Sequence, residues 1–322
     1  MENLLGAWKE FLRGKRNKKD VQEFQLHLMD NILSLYQDLK NKTYKHGPYH
    51  AFNISDPKPR NIHKATVRDR LLHRAIYRVL YPYFDKRFIS DSYSCRLNKG
   101  THKAINQFRK YVWKVSKNNT HQCWILKCNI KKFFASIDHN ILLQILEKCI
   151  RDKDIMWLLE RIISSFSYSA YMSHGANMQK GLPLGNLTSQ LLVNIYMNEF
   201  DQFMKHRLKV KYYLRYADDF TMIYHSKPEL IEFVPHIRNF LKEELKLELH
   251  PGKVSIKTLS SGVDFLGWVH FPNHRVFRTV TKRRMLKKVS TCQVDTLEQI
   301  KLSYLGILKY GNTYKIRRSF DV

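Results

Sequence analysis

The segment Leu214-Arg215-Tyr216-Ala217-Asp218-Asp219-Phe220-Thr221-Met222-Ile223-Tyr224 sets two adjacent carboxylates at the centre of an otherwise apolar and aromatic run. The flanks are rich in Tyr, Ile and Phe, which favours β-strand. Asp is poor in strands and good in turns, so the pair is predicted at the tip of a hairpin. Two carboxylates forced into one tight turn repel each other unless a cation lies between them, which predicts a divalent metal site. The alternative is an ordinary solvent-exposed turn. The chain carries 56 Lys+Arg against 28 Asp+Glu, a formal net charge of +28, so the other ligands of such a metal are expected to be phosphates.

A field this one-sided exceeds what solubility needs, and nucleic acid is the commonest partner that rewards it. An anionic membrane surface is the competing partner. There is no apolar run of the roughly 18 residues that a spanning helix needs, and no signal peptide, so a spanning or secreted protein is not expected. With 322 residues and 43% hydrophobic content, the chain can bury a large core as one large unit or two to three packed subdomains. Cys95, Cys123, Cys128, Cys149 and Cys292 are odd in number and form no CxxC pair. A disulfide framework or zinc site is therefore not expected. All five are read as small buried hydrophobes in a reducing cytoplasm.

Along the chain, Asp20 with Glu23 resembles a capping box. Val21, Phe24, Leu28, Ile32, Leu35 and Leu39 repeat at helical spacing and predict one helix over about residues 20 to 40. Asp56 to Arg60 reads as a turn, residues 68 to 84 as a helix until Pro82, and Lys99-Gly100-Thr101-His102 as the start of another. Trp124 to Ile130 reads as a buried strand. Helices follow to about residue 165, then a Gly181-Leu182-Pro183-Leu184-Gly185 loop that opens a helix from about Thr188 to His206. A helix is predicted over Pro228 to Leu245, short strands and turns over 247–253 and 263–268, and a basic helical end. The mixed pattern, without internal repeat or linker, predicts an α+β fold of several lobes.

The order of these segments resembles that of reverse transcriptases, from about Lys58 to the end of the chain. Lys58-Pro59-Arg60-Asn61-Ile62 and Ser92-Tyr93-Ser94-Cys95-Arg96 through Gly100-Thr101-His102 resemble the fingers motifs. Asn129-Ile130-Lys131-Lys132-Phe133-Phe134 followed by Ile137-Asp138-His139 resembles the palm strand. Gly181 to Gly185 resembles the loop that usually reads Pro-Gln-Gly, and Tyr216-Ala217-Asp218-Asp219 the hallmark hairpin. His250-Pro251-Gly252-Lys253 and Phe265-Leu266-Gly267-Trp268 resemble the motifs after it. Each is weak alone; seven in order leave little room for chance.

The resemblance implies a right-hand polymerase: an N-terminal basic, helical extension at 1–50, fingers at 51–125, a palm with antiparallel sheet at 126–270 carrying a fingers insertion at 140–185, and a helical thumb at 271–322. It implies synthesis of DNA on an RNA template, with a DNA primer, dNTP and two Mg²⁺ ions about 4 Å apart, Mn²⁺ being able to substitute. Asp218, Asp219 and the backbone carbonyl of Ile130 are then metal ligands. Lys58, Arg60, Arg68 and Arg70 become candidates to clamp the triphosphate, each otherwise part of a solvated basic face. Phe134 stands where the family places the ring that excludes a ribose 2′-hydroxyl, with Phe133 turned to the core. The resemblance implies that Lys253 approaches primer or nucleotide phosphates, against a plain surface lysine after a turn. Arg96, Lys99 and Trp268 are template or primer candidates, against a helix-end salt bridge for Arg96 and plain packing for Trp268.

Two departures from the family pattern matter. Leu184 stands where the family has Gln, and the loop continues Gly185-Asn186-Leu187-Thr188-Ser189-Gln190, a Gly-xxx-Ser-Gln form that resembles the diversity-generating retroelement enzymes. With Leu184, Gly185 and Gln190 near the nucleotide, that resemblance implies error-prone copying opposite template adenines, and a small basic accessory protein as partner. Asn129 stands where the family has the Asp that bridges both metals. An amide keeps one carbonyl oxygen but loses the charge and the second anionic oxygen. The catalytic set is then Asp218, Asp219 and a weakened Asn129. Group II intron, retron and phage-defence reverse transcriptases are related alternatives. The short segment after a thumb-like helix leaves no room for a maturase or endonuclease domain, and the retron Val-Thr-Gly signature is absent near Thr279-Val280-Thr281. A silent nucleic-acid-binding scaffold with the same fold is a further alternative.

Overall fold

The computed structural model describes residues 1–55, 59–167 and 179–318. Three helices open the chain: α1 (Glu2–Phe11), α2 (Lys19–Leu26) and α3 (Leu28–Lys40). A hairpin follows, β1 (His50–Ile54) with β2 (Arg60–Lys64), then α4 (Val67–Asp85) and α5 (Thr101–Val115). β3 (Trp124–Asn129) leads into α6 (Phe133–Ser136), α7 (His139–Glu147) and α8 (Lys153–Ser164). α9 (Leu187–Gln202) continues as one π-helical turn, Phe203–Arg207, before β4 (Tyr213–Tyr216) and β5 (Asp219–Tyr224). α10 (Lys227–Leu245), β6 (Ser255–Thr258) and the hairpin strands β7 (Val263–Phe265), β8 (Trp268–His270) and β9 (Arg275–Phe277) complete the mixed part. α11 (Thr279–Thr291), α12 (Val294–Leu308) and α13 (Tyr314–Arg318) close it.

The central sheet is antiparallel in the order β4-β5-β3-β6. Its alternation sorts side chains to two cores. Leu126, Cys128, Tyr213, Phe220 and Met222 join the cluster built with α4, α7, α9 and α10. Ile125, Leu214 and Ile223 face the other way and pack with Ala104, Phe108 and Val112 of α5 and with Phe265. Both faces are therefore covered along most of the sheet. Among the described residues, no helix is long and apolar enough to cross a membrane.

Several expectations change. The predicted helix over 20–40 breaks at His27, whose backbone (φ −116°, ψ 40°) is outside the helical region. The Asp20–Glu23 capping box does not form: Asp20 is drawn to Lys64 (2.6 Å) and Arg70 (2.5 Å), because two cations outweigh one backbone amide. Pro82 does not stop α4, which runs on to Asp85. The β1–β2 hairpin lay hidden in what read as a turn and a basic stretch. All five cysteines are free, but only Cys123 and Cys128 are buried; Cys149 and Cys292 are half-buried and Cys95 is exposed.

One polar group is wholly enclosed. Arg215 of β4 and Asp201 of α9 are both 0% exposed and make a two-pronged pair, Nε to Oδ1 at 2.8 Å and Nη2 to Oδ2 at 2.6 Å. Tyr213 donates to the same carboxylate at 2.8 Å. Asp201→Ala leaves the guanidinium buried and unpaired, so it is expected to destabilise the protein by about 3–5 kcal/mol. Urea unfolding of that variant and of Asp201→Ala/Arg215→Met checks this, the double variant recovering part of the loss.

Candidate catalytic site

The register of the sheet builds the site. β3 and β5 pair so that Asn129 lies directly opposite Asp219, and β4 and β5 pair Tyr216 with Asp219. Side chains directly opposite in an antiparallel pair share a face. Ala217 and Asp218 therefore form a two-residue turn, and Asp218 and Asp219 meet Asn129 at the sheet's end. Ala217 adopts φ +54°, a conformation that costs a non-glycine residue on the order of 1–2 kcal/mol. Two hydrogen bonds hold the turn: Ile130 N–H donates to the Asp218 carbonyl at 3.1 Å, and Arg215 Nη1 donates to the Ala217 carbonyl at 3.2 Å.

Asn129, only 6% exposed, occupies the centre. Its Nδ2 donates to Asp218 Oδ2 at 2.6 Å and to Asp219 Oδ1 at 2.8 Å. Lys253 Nζ donates to Asn129 Oδ1 at 3.2 Å. The partners fix the orientation of the amide: a donor group faces two carboxylates, and an acceptor faces an ammonium. Lys253 is delivered by a 3-10 turn, Pro251–Lys253, in which the His250 ring accepts from Gly252 N–H, while His250 N–H donates to the Asn129 carbonyl at 2.8 Å. Burial and the neighbouring Asp219 charge push the Asp218 carboxyl above its ordinary value, against the Asn129 amide and Lys253. A cleft of about 160 Å³ runs from Asp219 past Lys127, Lys253 and Lys257.

The Asp218–Asp219 pair suits a hard divalent cation, since the buried, repelling carboxylates gain from any positive charge placed between them. Among the described residues, no group of three His, Cys, Asp or Glu side chains is gathered, because position 129 contributes an amide. Asp138 does not join the centre; it caps α7, accepting from Asn140 and Ile141 N–H.

The loop before α9 is stitched to its surroundings by backbone bonds. His63 N–H donates to the Leu184 carbonyl at 2.9 Å, and Leu182 N–H to the Phe134 carbonyl at 2.8 Å. Asn186 Nδ2 donates to the His63 carbonyl at 2.8 Å. Gly185 has φ +105°, and a Cβ there would lie 2.8 Å from Ile62 Cγ2, so a side chain is excluded twice over. These bonds bring β2, which carries the exposed Arg60, and the half-buried Phe134 to Leu184. Asn186 and His63 are the ties that the sequence reading missed; the Asn after Gly185 was visible, but nothing showed that it would reach another strand.

Other candidates fall differently. Lys58 lies outside the described residues. Arg68 pairs with Asp38 and Arg70 with Asp20. Gln190 and Gly185 line one cavity of about 200 Å³ together with Arg70, Lys15 and Arg74. Lys99 donates to the Ser90 carbonyl at 2.7 Å. Ile130 is buried in the core behind the turn. Arg96 pairs with Asp85 at 2.7 Å and donates to the Ile89 and Ser92 carbonyls, with 6% of its side chain exposed. Trp268 is buried and stacked on Phe277 at 4.2 Å.

Residues 45–270 match the family described as reverse transcriptase (RNA-dependent DNA polymerase). Protein YkfC of Escherichia coli (strain K12) is 25% identical over 300 residues, covering 83% of this chain and 75% of that protein. The group II intron-encoded protein LtrA of Lactococcus lactis subsp. cremoris is 23% identical over 320 residues, covering 79% of this chain and 51% of that protein. Among solved structures, telomerase from Candida albicans with a fragment of telomeric RNA superposes with a TM-score of 0.53 at 12% identity, covering 83% of this chain and 53% of that one. Apo telomerase from Candida tropicalis, truncated from its C-terminal domain, gives 0.52 at 13% identity, with 78% and 60% covered. At such identities the likeness shows the fold alone, the right-hand arrangement of fingers, palm and thumb.

The raised Asp218 carboxyl sets a pH signature. The folded state holds that proton more tightly than the unfolded chain, so stability from this group is highest below the ordinary value of 3.8 and falls as pH rises through the folded-state value. Asp218→Asn removes the slope. The melting temperature of the variant relative to the wild type is expected to climb from about pH 4 to pH 7. Parallel melting curves across that range would count against the raised carboxyl.

Proposed function

We propose that this chain, which belongs to the reverse transcriptase (RNA-dependent DNA polymerase) family, is an RNA-directed DNA polymerase whose rate is held down by Asn129. The observation that carries the reading is the meeting of Asp218, Asp219 and Asn129 at the end of β3 and β5, beside a lysine-lined cleft in a strongly basic chain. Asp218 and Asp219 would hold Mg²⁺. When bound, that ion supplies Lewis-acid stabilisation of the primer oxygen and of the developing phosphate charge. A second ion would lack the bridging carboxylate of the family, because Asn129 offers one neutral oxygen and that oxygen is engaged by Lys253.

The chain's own residues divide the remaining work. Lys127, Lys253 and Lys257 attract the primer-strand phosphates into the cleft. Arg60, and Lys58 by its motif, supply charge to the triphosphate, with Arg68 and Arg70 released to it only at the cost of Asp38 and Asp20. The Phe134 ring limits room at the sugar. Leu184 and Gly185 form the floor beneath the incoming base, with Gln190 behind them. An aliphatic Leu184 gives no hydrogen bond by which to check that base, which supports error-prone copying of the diversity-generating kind, in the cytoplasm and with a small basic accessory protein. The division into fingers at 51–125, palm at 126–270 and thumb at 271–322 is part of the same proposal.

A specific observation favours a second reading. The Asn129 amide donates to both carboxylates, as a nucleic-acid-binding scaffold without synthesis would require. Primer extension on an RNA template with Mg²⁺ separates the two. Asn129→Asp is expected to raise the rate at least about a hundredfold, the scale of ~2.7 kcal/mol of transition-state stabilisation. No synthesis by either form leaves the scaffold reading standing.

Fidelity tests the loop within the Asn129→Asp background. Adding Leu184→Gln is expected to lower misincorporation opposite template adenines by several-fold, read by sequencing the product. Unchanged error rates at adenine would remove Leu184 from the account.

A further inference from the structure

A second polar cavity, of about 210 Å³, lies away from the acidic centre, where α5, the β8–β9 turn and the turn before α13 converge. Two guanidiniums line it. Arg109, exposed on α5, lies over the Trp113 ring at 4.3 Å. Arg275 of β9 lies over Trp268 at 5.5 Å and donates through Nε to the Tyr310 carbonyl, while its Nη1 is buried and, among the described residues, meets no acceptor. Among the described residues, neither arginine is paired to a carboxylate, and Asp264 is held by Arg278.

A buried N–H of a charged group left without an acceptor is unfavourable, and an acceptor that arrives from outside would satisfy it. The surrounding charge agrees. Burial and Arg109 lower the Arg275 guanidinium. The His270 ring, 4% exposed, is pushed down to about 4 by burial, with Arg275 and Arg109 adding to it. The cavity is thus positive, and planar guanidinium forks match the oxygens of an oxyanion, a phosphate having enough of them to meet two forks at once. Its walls are fixed: Asn119 Nδ2 donates to the Pro272 carbonyl at 3.0 Å, Phe271 N–H to the His274 carbonyl at 2.9 Å, and Asn312 N–H to the Arg275 carbonyl at 2.9 Å.

We propose that this cavity is a phosphate-binding site in which Arg109 and Arg275 clamp one phosphate group between α5 and the turn that carries Tyr310. The phosphate belongs either to a nucleic-acid backbone or to a small phosphorylated compound. The site does not depend on polymerase activity. Bound phosphate would tie the C-terminal helices to α5, adding to the His102–Tyr310 stack at 3.9 Å.

Calorimetric titration of the full chain, freed of nucleic acid, with inorganic phosphate and separately with a short single-stranded RNA tests the assignment. Arg109→Gln, at an exposed position, is expected to weaken binding of at least one probe about tenfold or more with an unchanged melting temperature; Arg275→Gln is expected to weaken the same probe as much, with a lower melting temperature because its hydrogen bond to the Tyr310 carbonyl is lost. Arg151→Gln, exposed and distant in the chain, is expected to change neither. Loss for phosphate alone assigns a small compound; loss for RNA assigns the backbone of a nucleic acid. Affinities for both probes that match the wild type in Arg109→Gln and Arg275→Gln overturn the site. So does an equal loss in Arg151→Gln, since charge alone would then account for it.

Discussion

The pair of Arg215 and Asp201 is the constraint on which the catalytic end of the molecule rests. Two charges with no exposure survive only if every donor and acceptor finds a partner. Here the guanidinium reaches Asp201 twice, Asn194 at 3.3 Å, Ser92 at 3.1 Å and the Ala217 carbonyl. These four partners lie on three elements: Asp201 and Asn194 on α9, Ser92 in the loop before α5, and Ala217 in the hairpin turn itself. Asn194 in turn donates to the Ser94 carbonyl at 2.9 Å, and Tyr93 N–H to the Arg215 carbonyl at 2.9 Å. One side chain thus registers a loop, a helix and a sheet, and steadies a turn residue at φ +54° that would otherwise relax. The pair need not stabilise the fold more than apolar side chains would. What it supplies is geometry, since an apolar replacement could fill the space but could not hold the Ala217 carbonyl.

Much of this was legible in the residues, and the limits are physical. The hairpin at Asp218 could be read because strand propensity and turn chemistry agree there. The ends of α9 and α10 fell close to their signals for the same reason. The break at His27 was not legible, because the apolar spacing through Leu39 continues across it and only the backbone departs. Asp20 read as a cap because a cap is a local pattern, whereas its true partners Lys64 and Arg70 are distant in sequence. For Arg96 the sequence left a template contact and a helix-end salt bridge both open. Nothing in its neighbours showed that Asp85 and two carbonyls would enclose it. The orphaned Nη1 of Arg275 is of the same kind, a property of packing rather than of pattern.

Asn129 joins both strands of the argument. In the sequence it was a missing carboxylate. In the structure it is a bridge that makes the site self-sufficient, donating to Asp218 and Asp219 while accepting from Lys253. An Asp at 129 could not do this. It would set three carboxylates at one point with only Lys253 to offset them, and that repulsion is what makes such a centre call for cations. The amide removes one charge and supplies two donors, so the demand for a metal falls from both sides. The raised Asp218 carboxyl shows that the demand does not vanish, since burial and Asp219 still oppose its ionised form. The centre is therefore poised between a closed hydrogen-bond cluster and a cation site. What decides between them is the free energy of replacing two amide donors and one lysine contact by ion coordination, a balance that a nucleotide's own phosphates and the ions they carry would shift.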